Sequence, residues 1–239
     1  KAVLKADGQI DLSGGVLDLH QAFAREDQSV LDAQIRWPDV PAAYGWLSLT
    51  ARGEWRLHPL GDAYFGGLGE GITNIQILSF FGRNYAAEPT GEWFFQNGPQ
   101  RVYVRLDAAP FVVRLDPTLG LLVSHNEQII ERVTQWLLDE DGQLYAQTNL
   151  GPARIDDRDL GLLADRLMTA RAQNLLEVLE QSDLTQTPAT GLDFFDPTGV
   201  FAALAQPAAL AMVQRKALPS ILNFVANPKA PLPTAPLSP

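Results

Sequence analysis

Hydrophobic and polar positions alternate in short runs along most of this chain, and the runs begin the same way. Gly8-Gln9-Ile10-Asp11-Leu12, Gly53-Glu54-Trp55-Arg56-Leu57, Gly91-Glu92-Trp93-Phe94-Phe95 and Gly142-Gln143-Leu144-Tyr145-Ala146 each open on Gly. A Glu or Gln comes next, then a large apolar residue, with another Gly a few positions on. In physical terms this is one unit, a turn leading into a short strand, used repeatedly. The aromatic residues between these corners are expected to meet in a shared interior.

The surrounding pattern fills in further elements. Val16, Leu17, Leu19, Ala22 and Phe23 have helical spacing over Val16 to Arg25. Trp37-Pro38 and Pro41 then force an extended connection. Trp46 to Leu49 and Glu54 to Leu57 read as a hairpin around Arg52-Gly53. Gly61 to Gly71 is a loop with five glycines. Thr73 and Gln76 have capping-box spacing, which predicts a helix over Asn74 to Phe81, apolar on most faces and closed by Gly82.

The β signal is clearest beyond that helix. Trp93 to Phe95 leads into the turn dipeptide Asn97-Gly98, and Arg101 to Leu106 alternates polar and apolar. Phe111 to Leu115 and Leu121 to Ser124 continue the meander, with Pro110 and Pro117 at strand ends. Ile129 to Leu138 reads as strand, turned by Asp139 to Gly142 into Gln143 to Thr148. Leu160, Leu163, Leu167, Leu175, Val178 and Leu179 trace a helical stripe to about Gln181, opened by Asp156, Asp157 and Asp159. Asp183 to Thr190 is a polar linker. Asp196-Pro197 reads as a helix start, and Pro207, Pro219 and Pro228 divide the remaining chain into short apolar helices. Ala226 to Pro239 carries five prolines and is expected to be extended or disordered.

Composition narrows the function classes. The 239 residues carry 28 acidic against 18 basic side chains, a net charge of -10, with no basic run. That excludes a broad phosphate-backbone contact, so no nucleic-acid partner is expected. The absence of cysteine removes thiol catalysis, disulfides and Cys-ligated zinc. Thr198 to Val213 is the most apolar run, shorter than the ~20 residues a membrane span needs. Lys1 to Leu12 has no apolar signal segment. The expected location is cytoplasmic.

No residue set announces a reaction. His20, His58 and His125 lie far apart, without a metal-ligand spacing. No Ser lies in a nucleophile elbow, and no cofactor or metal is expected. Asp139 to Gly142 lacks the further oxygen ligands of a calcium loop. Gly66-Gly67-Leu68-Gly69-Glu70-Gly71 feeds a helix, as anion-binding loops do, but fits neither nucleotide pattern, and Glu70 would repel phosphate. The densest polar-plus-aromatic collection is Arg83, Tyr85, Trp93, Gln96, Asn97, Gln100 and Arg101. Arg and aromatic side chains anchor binding surfaces, so these are the candidate ligand- or partner-binding residues. The competing reading makes the aromatics core and Asn97-Gly98 a turn.

Tyr44-Gly45-Trp46-Leu47, Phe81-Gly82-Arg83-Asn84-Tyr85 and the run from Trp93-Phe94-Phe95-Gln96-Asn97-Gly98-Pro99-Gln100-Arg101 to Val102-Tyr103-Val104 resemble an uncharacterised proteobacterial family of unknown function. More distantly, the order of elements is similar to that of a second bacterial domain-of-unknown-function family. Shared features are a Gly-x-Trp hairpin, a short helix, a second hairpin, Ala109-Pro110-Phe111 and a late Asp-rich turn. The resemblance spans roughly Tyr44 to Leu163, a domain-sized share. It implies repeated α+β motifs and a role in signalling, and it brings no catalytic residues.

The expected fold is therefore α+β, antiparallel hairpins in repeated hairpin-plus-helix units with a mainly helical C-terminal segment. The expected division is an N-terminal helical or extended segment (1–43), an α+β domain (44–182), short apolar helices (183–227) and a Pro-rich tail (228–239). The expected function is a non-catalytic binding module with a regulatory or signalling role. Two alternatives stand beside it. One is a hydrolase-like enzyme whose site is assembled from distant His and Asp or Glu residues. The other is a structural protein that forms a homodimer through its C-terminal apolar helices.

Overall fold

The glycine-led corners at Gly53, Gly91 and Gly142 are the same turn, and the corner at Gly8 lies outside the described residues. A computed structural model describes residues 2–4, 10–12, 15–17, 28–181 and 191–231. In Thr50–Glu54, Glu88–Glu92 and Asp139–Gln143 the glycine N–H donates to the carbonyl of the first residue, at 3.0, 2.9 and 3.1 Å. The first residue's N–H donates to the carbonyl of the fifth, at 3.0, 2.8 and 3.0 Å. Gly53, Gly91 and Gly142 have φ of 80°, 87° and 76°, left-handed backbone that glycine adopts without steric cost. This is the three-residue hairpin loop with a bulge. Thr50 Oγ1 and Asp139 Oδ1 each accept two backbone N–H groups of their own turn. The turn recurs at Ser124–Gln128 and Thr169–Gln173, where Glu127 and Ala172 take the glycine's place at φ of 65° and 58°.

These turns build two sheets of like topology. Strands β1 (Ala2–Leu4), β2 (Ile10–Leu12) and β3 (Gly15–Leu17) form a small antiparallel sheet. The first large sheet holds β4 (Ala43–Leu49), β5 (Trp55–Leu57), β6 (Glu70–Gly71), β7 (Tyr85–Ala87), β8 (Trp93–Asn97) and β9 (Gln100–Leu106). Its order is β6-β5-β4-β9-β8-β7. The second holds β10 (Phe111–Asp116), β11 (Leu121–Ser124), β12 (Ile129–Ile130), β13 (Val133–Leu138), β14 (Leu144–Thr148), β15 (Pro152–Ile155), β16 (Asp193–Phe194) and β17 (Ala208–Met212). Its order is β12-β11-β10-β15-β14-β13-β17-β16, so its first six strands repeat the arrangement of the first sheet. In each, the chain leaves the centre by hairpins, crosses to the far edge and returns. At the centre of each sheet two strands pair in parallel, β4 beside β9 and β10 beside β15. Helices Gln28–Arg36, Ile75–Arg83, Leu160–Arg166, Leu175–Gln181 and Leu218–Ile221 complete an α+β fold.

One apolar cluster runs through both sheets, from Leu47 to Phe224. At the junction Trp55 meets Phe81 and Tyr85 edge-on at 5.1 and 5.3 Å, and Trp93 meets Phe111 at 5.1 Å. Such pairs contribute about 0.5–1.5 kcal/mol each beyond their buried area. Trp136 and Tyr145 are the largest fully buried side chains. Arg154, on β15, donates to the Ala51 carbonyl at 2.6 Å and so ties the second sheet to the first sheet's leading turn.

Several local expectations are corrected. Val16 and Leu17, expected to begin a helix, belong to the strand Gly15–Leu17; the rest of that stretch, the linker at 183–190 and the tail at 232–239 lie outside the described residues. Asn74, not Thr73, caps the helix Ile75–Arg83, accepting from the N–H groups of Gln76 and Ile77. Gly82 lies inside that helix, where a Cβ would meet Asn126 Cβ at 3.1 Å. The helix is buried only at its C-terminal end; Ile75 and Ile77 are 74% and 43% exposed. Asn97 pairs with Gln100, so the turn centres on Gly98-Pro99. The stripe from Leu160 to Leu179 is two helices separated by the Thr169–Gln173 turn. Asp196 starts no helix; its carboxylate accepts from the Thr198 and Phe201 N–H groups and the Thr198 hydroxyl. The C-terminal segment has helical turns at Ala202–Leu204 and Arg215–Ala217, but Ala208–Met212 is a strand parallel to β13, whose edge needed a partner. Leu210, Leu218, Leu222 and Phe224 are buried by the chain itself.

Candidate functional site

A bulge in β4 shapes two adjoining hollows. Pairing with β9 slips between Ala43 and Leu47, and Gly45 between them has φ of 82°. A Cβ at Gly45 would collide with the Gly61 carbonyl oxygen, so only glycine lets that loop cross the strand here. Trp46, on the bulge, stays 43% exposed. Beside it a groove of about 480 Å³ opens between the first sheet and helix Ile75–Arg83. Leu47, Leu57, Phe95 and Val102 form its floor, Phe80 and Phe81 one wall, and Ala43 and Trp46 the mouth. Among the described residues that line it, Asn97 and Gln100 carry the amide side chains and none is charged. A second hollow, about 620 Å³, shares Ala43 and Trp46 with the groove. Tyr44, Tyr64, Phe65 and Lys229 line it.

Strand alternation splits the residues that cluster in sequence. Tyr85, Trp93, Asn97 and Gln100 fall on the sheet face toward the helix; Gln96 and Arg101, paired with each other, fall on the opposite face. Tyr85 and Trp93 are core residues, 8% and 7% exposed, and burial pushes the Tyr85 phenol well up. Asn97 and Gln100 reach the groove, where the Gln100 amide also donates to the Pro41 carbonyl. Gln96 and Arg101 line a third hollow of about 390 Å³ with Gln34, Trp37 and Tyr103. There Arg101 pairs with Glu88 and lies over Phe94. Tyr103 donates to Glu88, and burial together with that carboxylate pushes its phenol up. Arg83 ends the helix, donating to Ser79 Oγ at 2.7 Å.

The two described histidines sit in unlike surroundings. His58 Nε2 lies 2.9 Å from Ser48 Oγ, and Nδ1 lies 3.8 Å from Asp62. Burial, with Arg105 nearby, pushes its pKa down and keeps the ring neutral at pH 7. Ser48 and His58 are 0% and 2% exposed. His125 packs among Trp55, Tyr85 and Phe111. His20 lies outside the described residues. Among the described residues, no three His, Asp or Glu side chains gather as a metal site. None of the described helices is long and apolar enough to cross a membrane.

Trp46, Leu57, Phe80, Phe81 and Lys229 were not among the candidate binding residues read from sequence. The signal for the first was available: glycine inside a strand pattern, at Tyr44-Gly45-Trp46, marks a bulge.

The family model DUF2944, described as "Protein of unknown function (DUF2946)", matches residues 26–229. No curated protein matches the chain. A solved structure of a DUF1285 family protein from Silicibacter pomeroyi DSS-3 aligns with a TM-score of 0.44 and 13% identity. The alignment covers 84% of this chain and 97% of that one.

Proposed function

The chain belongs to the DUF2944 family, and from that premise we propose that it is a non-catalytic binding module for a small, largely apolar ligand. The supporting observation is the groove beneath helix Ile75–Arg83, walled by aliphatic and aromatic side chains with only Asn97 and Gln100 to orient a guest. Small-molecule sites have this character, at volumes of roughly 300–1,000 Å³. A charged ligand buried there would meet no counter-ion, so the part of the ligand inside the groove is neutral. A regulatory role fits a strand floor covered by one helix, since occupancy would be signalled through that helix's exposed face at Ile75 and Ile77.

Titration with Nile red, a neutral dye that brightens in apolar surroundings, tests this reading. Saturable binding is expected in the natural protein, at least tenfold weaker in Trp46→Asp with the circular dichroism spectrum unchanged. Equal binding in Trp46→Asp and Leu57→Asp would overturn it.

A second reading, hydrolysis, is favoured by the Ser48–His58–Asp62 alignment. Ser48 is sealed, so this reading requires the Gly61 to Gly71 loop to lift. A fluorophosphonate probe would then label Ser48 in the natural protein and nothing in Ser48→Ala; absence of labelling in both discards it.

A further inference from the structure

We infer that the ligand is a single-chain amphipath: an alkyl chain in the groove and an anionic head in the adjoining hollow. The inference rests on reading the groove as a ligand site, and it adds the ligand's chemical class. The two hollows share Ala43 and Trp46, so one elongated guest can bend round the Trp46 indole and occupy both. Their chemistry differs. Among the described residues, no charged side chain lines the groove, whereas the second hollow is lined by one cation, Lys229, and no carboxylate. Lys229 forms no ion pair among the described residues. Tyr64 lines the same hollow and carries an O–H that can donate to an anionic oxygen, whereas the Tyr44 hydroxyl is engaged by Tyr103 near Glu92 and Glu88.

The chain as a whole opposes this charge preference. With a net charge of -10, nonspecific attraction favours cations. An anionic head is therefore selected only by local contact. The alkyl portion supplies most of the affinity, since every methylene removed from water adds to it. The head sets orientation and contributes less, because an exposed ion pair contributes about 0.2–1 kcal/mol.

The test displaces Nile red from the full chain with dodecanoate, dodecanol and dodecyltrimethylammonium, each below its micelle threshold. Dodecanoate is expected to compete about fivefold better than dodecanol, the upper range for an exposed pair, and the ammonium compound worst. In Lys229→Gln the dodecanoate advantage disappears while dodecanol competes as before. Equal competition by dodecanoate and dodecanol, or an advantage that survives Lys229→Gln, overturns the inference and leaves the apolar groove standing. Failure of Nile red to bind the natural protein overturns the groove reading itself.

Discussion

His125 should make this protein sensitive to mild acid. Its ring lies 5.9 Å from Trp55, 6.1 Å from Tyr85 and 5.9 Å from Phe111, where the two large sheets meet. Nδ1 accepts the Val112 N–H at 3.4 Å, and Nε2 is sealed from solvent with no hydrogen-bond partner among the described residues. Burial pushes the pKa down to about 3. The unfolded chain takes up that proton near the usual value of about 6.5. Between those values the unfolded state binds a proton that the native state refuses. The stability associated with a neutral His125 is thus full above about pH 6.5 and is lost as pH falls toward about 3. Each pH unit in that window costs up to about 1.4 kcal/mol. Moving from about pH 7.5 to about 5.0 should remove up to about 2 kcal/mol, a large share of the roughly 5–15 kcal/mol of a typical domain.

His125→Asn isolates the effect, because the amide oxygen can accept the Val112 N–H and does not titrate. Urea unfolding followed by tryptophan fluorescence gives stability for both proteins at each pH. The variant starts less stable at about pH 7.5, since part of the aromatic packing is gone. The gap should then shrink by about 2 kcal/mol by about pH 5.0. A gap constant to within about 0.5 kcal/mol across that range would refute the reasoning, since it would mean that the native ring accepts its proton as readily as the unfolded one.

Other expectations concern the turns and the sheet junction. Gly142 has open space around its Cβ position, so Gly142→Ala should cost about 1–2 kcal/mol from left-handed strain alone. Gly91→Ala adds a clash with the Asn223 oxygen at 2.7 Å and should lower the urea midpoint further; equal midpoints would contradict the geometry. Asp196→Ala leaves two backbone N–H groups without their acceptor and should cost about 2–3 kcal/mol by thermal unfolding. Burial raises the Asp196 pKa, but hydrogen bonds from Thr198 and Phe201 outweigh it and hold the carboxyl below its usual range. Its contribution is therefore present above the ordinary pKa and lost as pH falls through the native one, so the Asp196→Ala penalty should diminish in acid. Arg154→Met should speed amide exchange in Thr50–Glu54 with little change in Glu88–Glu92; uniform acceleration would count against Arg154 as the tie between sheets.

The hairpins were legible because their turns have strict local requirements. Gly53, Gly91 and Gly142 must adopt positive φ, and glycine shows that need openly. Glu127 and Ala172 make the same turn and were invisible, because tertiary contacts hold a side-chain-bearing residue where propensity disfavours it. Ala208–Met212 could not be read locally either. Its residues favour helix, and the edge of β13 decides otherwise. The site was legible only in pieces. Sequence proximity grouped Gln96 with Asn97, and Gln100 with Arg101, but a strand sends neighbours to opposite faces. Lys229 joins Tyr44 across most of the chain's length, a proximity no spacing rule reports.

The parallel pairs at the middle of each large sheet carry a consequence for assembly. Residues 43–49 wait for residues 100–106, and residues 111–116 wait for residues 152–155, before either sheet has a centre. During synthesis the outer hairpins can form as they emerge, but their interior neighbours do not yet exist. Each half is therefore closed by its final strand, like an arch by its keystone, and a chain halted at Pro99 or at Gly151 would keep its corners and have nothing to lean on.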